Sequence, residues 1–176
     1  MELPKVCDHT SVGVVARDDQ GRILMIKRKK YPFGVALPSG HCDGKDYSLA
    51  CFDEFETETG LKITGAPHPV TLKSPRKDLL CRRGGQYHYW QIFEVDWSGR
   101  LSRDKNETLG AGWYAPDEIR LLAEKTKEYL RKLKLSAQAE EVSWQKSLKE
   151  SVEKEWQADP GLEVVWYEFF KELNVI

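Results

Sequence analysis

The chain has 176 residues, 40% apolar and 31% charged, an ordinary balance for one soluble domain with a modest appendage. A chain of this length buries roughly 70% of its unfolded surface, so folding requires no staple. Its net charge of -1, from 27 basic and 28 acidic residues, provides no overall field for a nucleic-acid polymer or a membrane surface.

The opening "MELPKVCDHTSVGVV" lacks a basic segment followed by an apolar run, so no signal peptide is expected. No apolar run approaches the roughly 20 residues that span a bilayer, and a cytoplasmic protein is expected. The four cysteines, Cys7, Cys42, Cys51 and Cys81, include no C-x-x-C pair. Cys7 with His9, and His41 with Cys42, have the chemistry of zinc ligands, but the spacing favours reduced thiols of a cytosolic protein.

In chain order, "TSVGVVARDDQGRILMIKRK" reads as a β-hairpin turning at "DDQGR". "KKYPFGVALPSGH" is a structured loop, with two prolines and with Gly34, Ser39 and Gly40. "DYSLACFDEFETETG" predicts a helix with Asp46 as N-cap and Gly60 as C-cap. Short strands broken by prolines follow, and then "QYHYWQIFEVDW", the strongest strand pattern in the chain. "GAGWYAP" is a strand ahead of a helix starting near Pro116, where Ile119, Leu122, Ala123, Tyr129 and Leu130 recur at helical spacing. From Ser136 another amphipathic helix is expected, with Val142, Leu148, Val152 and Trp156 on one face. "ADPGLE" breaks it before the apolar "VVWYEFFKELNVI". This order predicts an α/β (α+β) fold with helices flanking a mixed sheet. The expected division is residues 1–135 for the domain and 136–176 for a helical C-terminal extension. Trp144, Trp156 and Trp166 would pack that extension onto the domain or onto a second subunit; no sequence feature demands a homodimer.

Chemistry concentrates in the first helix. At about 100° per residue, Glu54 and Glu58 lie only about 40° apart, while Phe52 and Phe55 point away and can bury. Two carboxylates one turn apart can share a hard divalent cation, Mg²⁺ or Mn²⁺. Gly40 and Gly44, in the loop before the helix, allow close backbone approach to a ligand.

"GHCDGKDYSLACFDEFETETGL" resembles the Nudix hydrolase signature: Gly, five spacers, Glu, seven spacers, then Arg-Glu-apolar-x-Glu-Glu-x-Gly-apolar. Gly60 and Leu61 match its end, Glu58 the last glutamate, Phe55 the apolar position and Glu54 the glutamate after the arginine. Gly40 matches the opening glycine if the loop is one residue shorter. Three positions depart from the pattern. Lys45 stands at the first glutamate, with Asp46 beside it; Asp53 replaces the arginine; Thr57 replaces the first of the paired glutamates, normally a metal ligand. In this family the arginine is an orienting ion-pair partner for a catalytic glutamate. "ALPSGH", "ILMIKRK" and "NETLGAGWYAPDEI" resemble flanking family segments.

The resemblance implies a Nudix fold and metal-dependent hydrolysis of a diphosphate linkage in a nucleoside diphosphate joined to another moiety. It implies metal binding by Glu54, Glu58 and the Gly40 carbonyl. Glu54 would activate water, with Glu107 the alternative base, and Arg28 would contact a nucleotide-type small-molecule substrate; apart from the resemblance, Tyr31 and Phe33 could stack on its base, with core or rim packing an equally good reading. The rival reading is a weakened or inactive Nudix-fold module that binds a nucleotide or a protein. His41 and His88 invite acid–base roles, although lone histidines are more often structural.

Overall fold

The computed structural model describes residues 6–71, 73–138 and 143–176, and side chains outside 135–150. Its strands are β1 (Thr10–Ala16), β2 (Ile23–Arg28), β3 (Val35–Ala36), β4 (Ser39–His41), β5 (Lys62–Ile63), β6 (His68–Pro69), β7 (Arg76–Lys77), β8 (His88–Val95), β9 (Trp97–Ser98) and β10 (Thr108–Tyr114). Its helices are α1 (Tyr47–Thr59), α2 (Pro116–Gln138), α3 (Ser143–Ala158) and α4 (Val164–Glu172). This is the mixed α+β class expected from the sequence. Two compact units divide the chain: Met1–Pro32 with Ala36–Tyr114, and Phe33–Val35 with Ala115–Ile176.

The first unit is built on a mixed sheet of order β4-β1-β8-β6, with β7 also paired to β8. Six of the seven residues of β1 are buried, the signature of a strand covered on both faces. It runs parallel to β8 from Thr10↔Tyr89 to Ala16↔Val95 and antiparallel to β4. This corrects the expected hairpin. The turn forms, with Asp18 N–H donating to the Arg22 carbonyl at 3.0 Å, but only the bridge Arg17↔Ile23 continues it. Beyond that bridge β2 leaves to pair with β10. A strand already flanked by β4 and β8 has no edge left for its sequence neighbour.

Helix α1 starts and stops where its residues dictate. Asp46 accepts the Ser48 N–H at 2.9 Å as N-cap, and Gly60 closes the helix in the left-handed region at φ 71°. A Cβ at Gly60 would also meet the Ser102 carbonyl at 2.9 Å. Phe55 and Cys51 are fully buried with Val12, Val14, Leu24, Leu61 and Phe93, and burying Phe55 contributes about 1.5–3 kcal/mol. Phe52 is only half-buried. The core thus anchors one side of α1 and fixes which residues its other side presents.

In the second unit Ile119, Ala123 and Thr126 form the buried stripe of α2. Thr126 Oγ1 lies within hydrogen-bond distance of the Leu122 carbonyl at 3.0 Å and the Leu162 carbonyl at 2.9 Å, and its one proton can go to either. Trp156 is buried, stacks on Tyr129 at 4.2 Å and donates its indole N–H to the Phe33 carbonyl at 3.2 Å. Val152 and Trp166 are buried as well. Val142, and the side chains of Trp144 and Leu148, lie outside the described residues. No described helix is long and apolar enough to cross a membrane.

Candidate active site on the β4–α1 loop

Strand β4 and helix α1 bring three of the expected ligands together. Glu54 is half-buried and its carboxylate lies against Gly40: a Cβ built there would meet Oε2 at 2.2 Å and Oε1 at 2.6 Å. Glycine leaves room for that carboxylate where it lies, and a Cβ there would displace the end of the Glu54 side chain. One turn later, Glu58 is 7% exposed and its Oε2 accepts the Ser39 N–H at 2.8 Å. The loop residues Ser39 and Gly40 therefore meet Glu58 and Glu54 respectively.

A cavity of about 270 Å³ opens beside them, lined by His41, Cys42, Asp43, Lys45, Ala50, Asp53, Glu54 and Thr57. Glu54 faces it; Glu58 does not line it. Asp53 and Thr57, two of the positions that depart from the box pattern, share the lining with Glu54. Lys45, the third, reaches Asp53 with Nζ–Oδ2 at 2.5 Å. Its ammonium is held charged, its pKa raised by the hydrogen bond to Asp53 and by that carboxylate's charge. The family pattern has glutamate and arginine at these two positions, so each carries the opposite charge here, and the two side chains pair. Two departures that look like separate losses in the sequence form one pair in space. The signal was there to be read: both substitutions invert charge.

Other expected residues lie elsewhere. Glu107 is half-buried, pairs with Lys30 and gives its backbone carbonyl to Lys29 N–H at 2.9 Å. Arg28 ends β2 opposite Thr108. Neither lines the cavity. Phe33 belongs to the second unit. Glu56 is half-buried and paired with Lys62.

His41 turns away from the role of an isolated acid or base. Burial, with the Arg83 and His88 charges, pushes its pKa down to about 4, so its imidazole is neutral near pH 7. Its Nε2 lies 3.6 Å from Cys7 Sγ and 3.2 Å from His88 Nε2. These three residues come from three segments far apart in the sequence, so no local spacing announces their proximity.

A NUDIX domain model matches residues 8–135. The chain belongs to the Nudix family. Among solved structures it is similar to a MutT Nudix hydrolase from Burkholderia pseudomallei, at 24% identity and TM-score 0.52, covering 62% of this chain and 84% of that one. A Nudix hydrolase from Nitrosomonas europaea aligns at 21% identity and TM-score 0.50, over 64% and 76% of the two chains. A MutT protein from Methanosarcina mazei Go1 aligns at 14% identity and TM-score 0.52, over 88% of this chain and 98% of its own. At these identities the likeness is one of fold. No curated protein matches the chain.

Proposed function

We propose that this Nudix-family protein is a pyrophosphohydrolase, cleaving a diphosphate linkage in a nucleoside diphosphate joined to another moiety. The observation that carries this reading is the contact of Glu54 with Gly40 beside a cavity, with Glu58 fixed to the same loop through Ser39. The donors are all oxygens, the set that suits Mg²⁺ or Mn²⁺. Glu54, Glu58 and the Gly40 carbonyl would hold the ion, which when bound neutralises phosphate oxygens and acidifies water. Glu54 is the residue of this set that lines the cavity, and it would take the proton from the attacking water. The Lys45–Asp53 pair ties the loop to the helix and so positions Glu54 without touching the reacting atoms. The division into a Nudix-like domain, residues 1–135, and a helical C-terminal extension, 136–176, belongs to this reading, as does a nucleotide-type small molecule as substrate. Glu107 would serve as base only by exchanging Lys30 for the substrate water.

A second reading has its own observation. Glu58 is enclosed and the cavity receives Glu54, Thr57 and the paired Asp53, so the cation would rest on fewer carboxylates than the family pattern supplies. On that reading the protein binds a nucleotide with little turnover. Screening the full chain with Mg²⁺ or Mn²⁺ against nucleoside diphosphate compounds decides between them. The hydrolase reading expects turnover that Glu54→Gln and Glu58→Gln each reduce by at least about a hundredfold. Binding without turnover across the panel favours the second reading, and turnover unchanged in both variants removes the site.

A further inference from the structure

We propose that Cys7, His41, Cys81 and His88 form a tetrahedral zinc site at the end of the sheet that carries the box loop. Their four ligand atoms all lie within 4.8 Å of one another. Cys7 Sγ is 3.2 Å from His88 Nε2 and 3.6 Å from His41 Nε2, and the two Nε2 atoms are 3.2 Å apart. A tetrahedron with Zn–S of about 2.3 Å and Zn–N of about 2.0–2.1 Å places S–N pairs about 3.5 Å apart and N–N pairs about 3.4 Å apart. Cys7, His41 and His88 already have the spacing of ligands around one ion, and the Cys81 sulfur lies within 4.8 Å of each.

Protons do not account for this arrangement. Each imidazole nitrogen offers either one proton or one lone pair, so hydrogen bonds satisfy at most two of the three mutual contacts among Cys7 Sγ, His41 Nε2 and His88 Nε2. A cation at the centre satisfies all of them. The sulfurs are further prepared by backbone donors. His9 N–H points to Cys7 Sγ at 3.3 Å, and Gly85 N–H points to Cys81 Sγ at 3.3 Å.

The turn carrying Cys81 is shaped for the purpose. Gly84 N–H donates to the Cys81 carbonyl at 3.1 Å, Cys81 N–H to the Gly85 carbonyl at 2.9 Å, and Gly84 adopts φ 83°. A Cβ at Gly85 would sit 2.3 Å from Cys7 Sγ and 3.2 Å from Cys81 Sγ. Neighbouring candidates are engaged otherwise. His9 Nδ1 bonds the Tyr87 carbonyl at 2.9 Å and its ring stacks on Tyr87 at 4.2 Å. Asp8 accepts from Thr10 and from Gly44 N–H.

Topology brings the four ligands to one place. Cys7 precedes β1, His88 opens the parallel β8, His41 ends the antiparallel β4, and Cys81 sits between β7 and β8. All four map to the same end of the sheet. Two thiolates and two imidazoles select zinc over Mg²⁺, Ca²⁺ or Mn²⁺, and four protein ligands close the sphere, the pattern of a structural site. His41 follows Gly40 directly, so the ion would clamp the start of the box loop to β1 and β8. This inference stands independently of the hydrolase reading.

The test is metal analysis of the full chain purified without chelator, followed by cobalt substitution. The expected content is about one zinc per chain, unchanged in Glu54→Gln and lost in Cys81→Ser and in His88→Ala. Reduced, metal-stripped wild-type protein should develop sulfur-to-cobalt charge-transfer absorption and tetrahedral d–d bands on addition of Co²⁺, a readout that does not depend on the variants folding. Zinc-free protein whose wild-type form shows no such bands overturns the site. Zinc retained at full content in folded Cys81→Ser and His88→Ala overturns the ligand assignment, and iron in place of zinc overturns the choice of metal.

Discussion

The segment from Gly40 to Gly60 and the Cys/His end of the sheet are neighbours joined through His41, yet they are built in opposite ways. The first is local: one loop and one helix, with carboxylates spaced by helix geometry and caps at both ends. The second is assembled from four segments by strand pairing, with Cys7 and His88 separated by most of the first unit. The first offers hard oxygen donors beside an open cavity, the second soft sulfur and nitrogen donors in a partly buried cluster. If both proposed sites hold their ions, one small domain would separate two kinds of metal chemistry by a single peptide bond, Gly40 to His41. An exchangeable cation suits the open side and a permanent one the closed side.

Each side of this comparison can be broken separately. The largest effect is expected from Gly85→Ala, whose added Cβ would displace Cys7 Sγ. Loss of the bound ion should cost several kcal/mol, on the order of a 10 °C fall in Tm, read by calorimetry with metal analysis. Gly40→Ala should separate stability from activity. Its Cβ would meet the mobile end of Glu54 rather than backbone, so Tm should move by only a few degrees, whereas turnover should fall by about a hundredfold.

Thr57→Glu sharpens the comparison in the other direction. Thr57 lines the cavity with Glu54, and a third carboxylate there should lower the Mg²⁺ concentration for half-maximal turnover by about tenfold. Zinc content should not change. The smallest effect is expected from Asp46→Ala, which removes the N-cap of α1. It should cost about 1 kcal/mol by denaturant unfolding, with both metal sites otherwise intact.

The same contrast explains what could be read before folding. Helix α1 was legible to within a residue because Asp46, Phe55 and Gly60 act on their own neighbourhood. The family match followed from Gly40, Glu54, Glu58 and Gly60 for the same reason. The β1–β2 hairpin was misread because the turn is a local fact, whereas strand pairing is decided by β4, β8 and β10. The two-residue strands β5, β6 and β7 have no periodicity to detect; they exist because β8 and β9 offer edges. Lys45 and Asp53 looked like two losses until space joined them. Cys7, His41, Cys81 and His88 carried no spacing signal, since the register of β1 against β4 and β8 supplies their proximity.

The most direct single measurement uses one preparation of Glu54→Gln, assayed together for zinc content and for Mg²⁺-dependent hydrolysis on a substrate turned over by the wild type. The account predicts about one zinc per chain and a loss of turnover of at least about a hundredfold. Undiminished turnover, or zinc lost along with the Glu54 carboxylate, would contradict two separate sites with separate tasks.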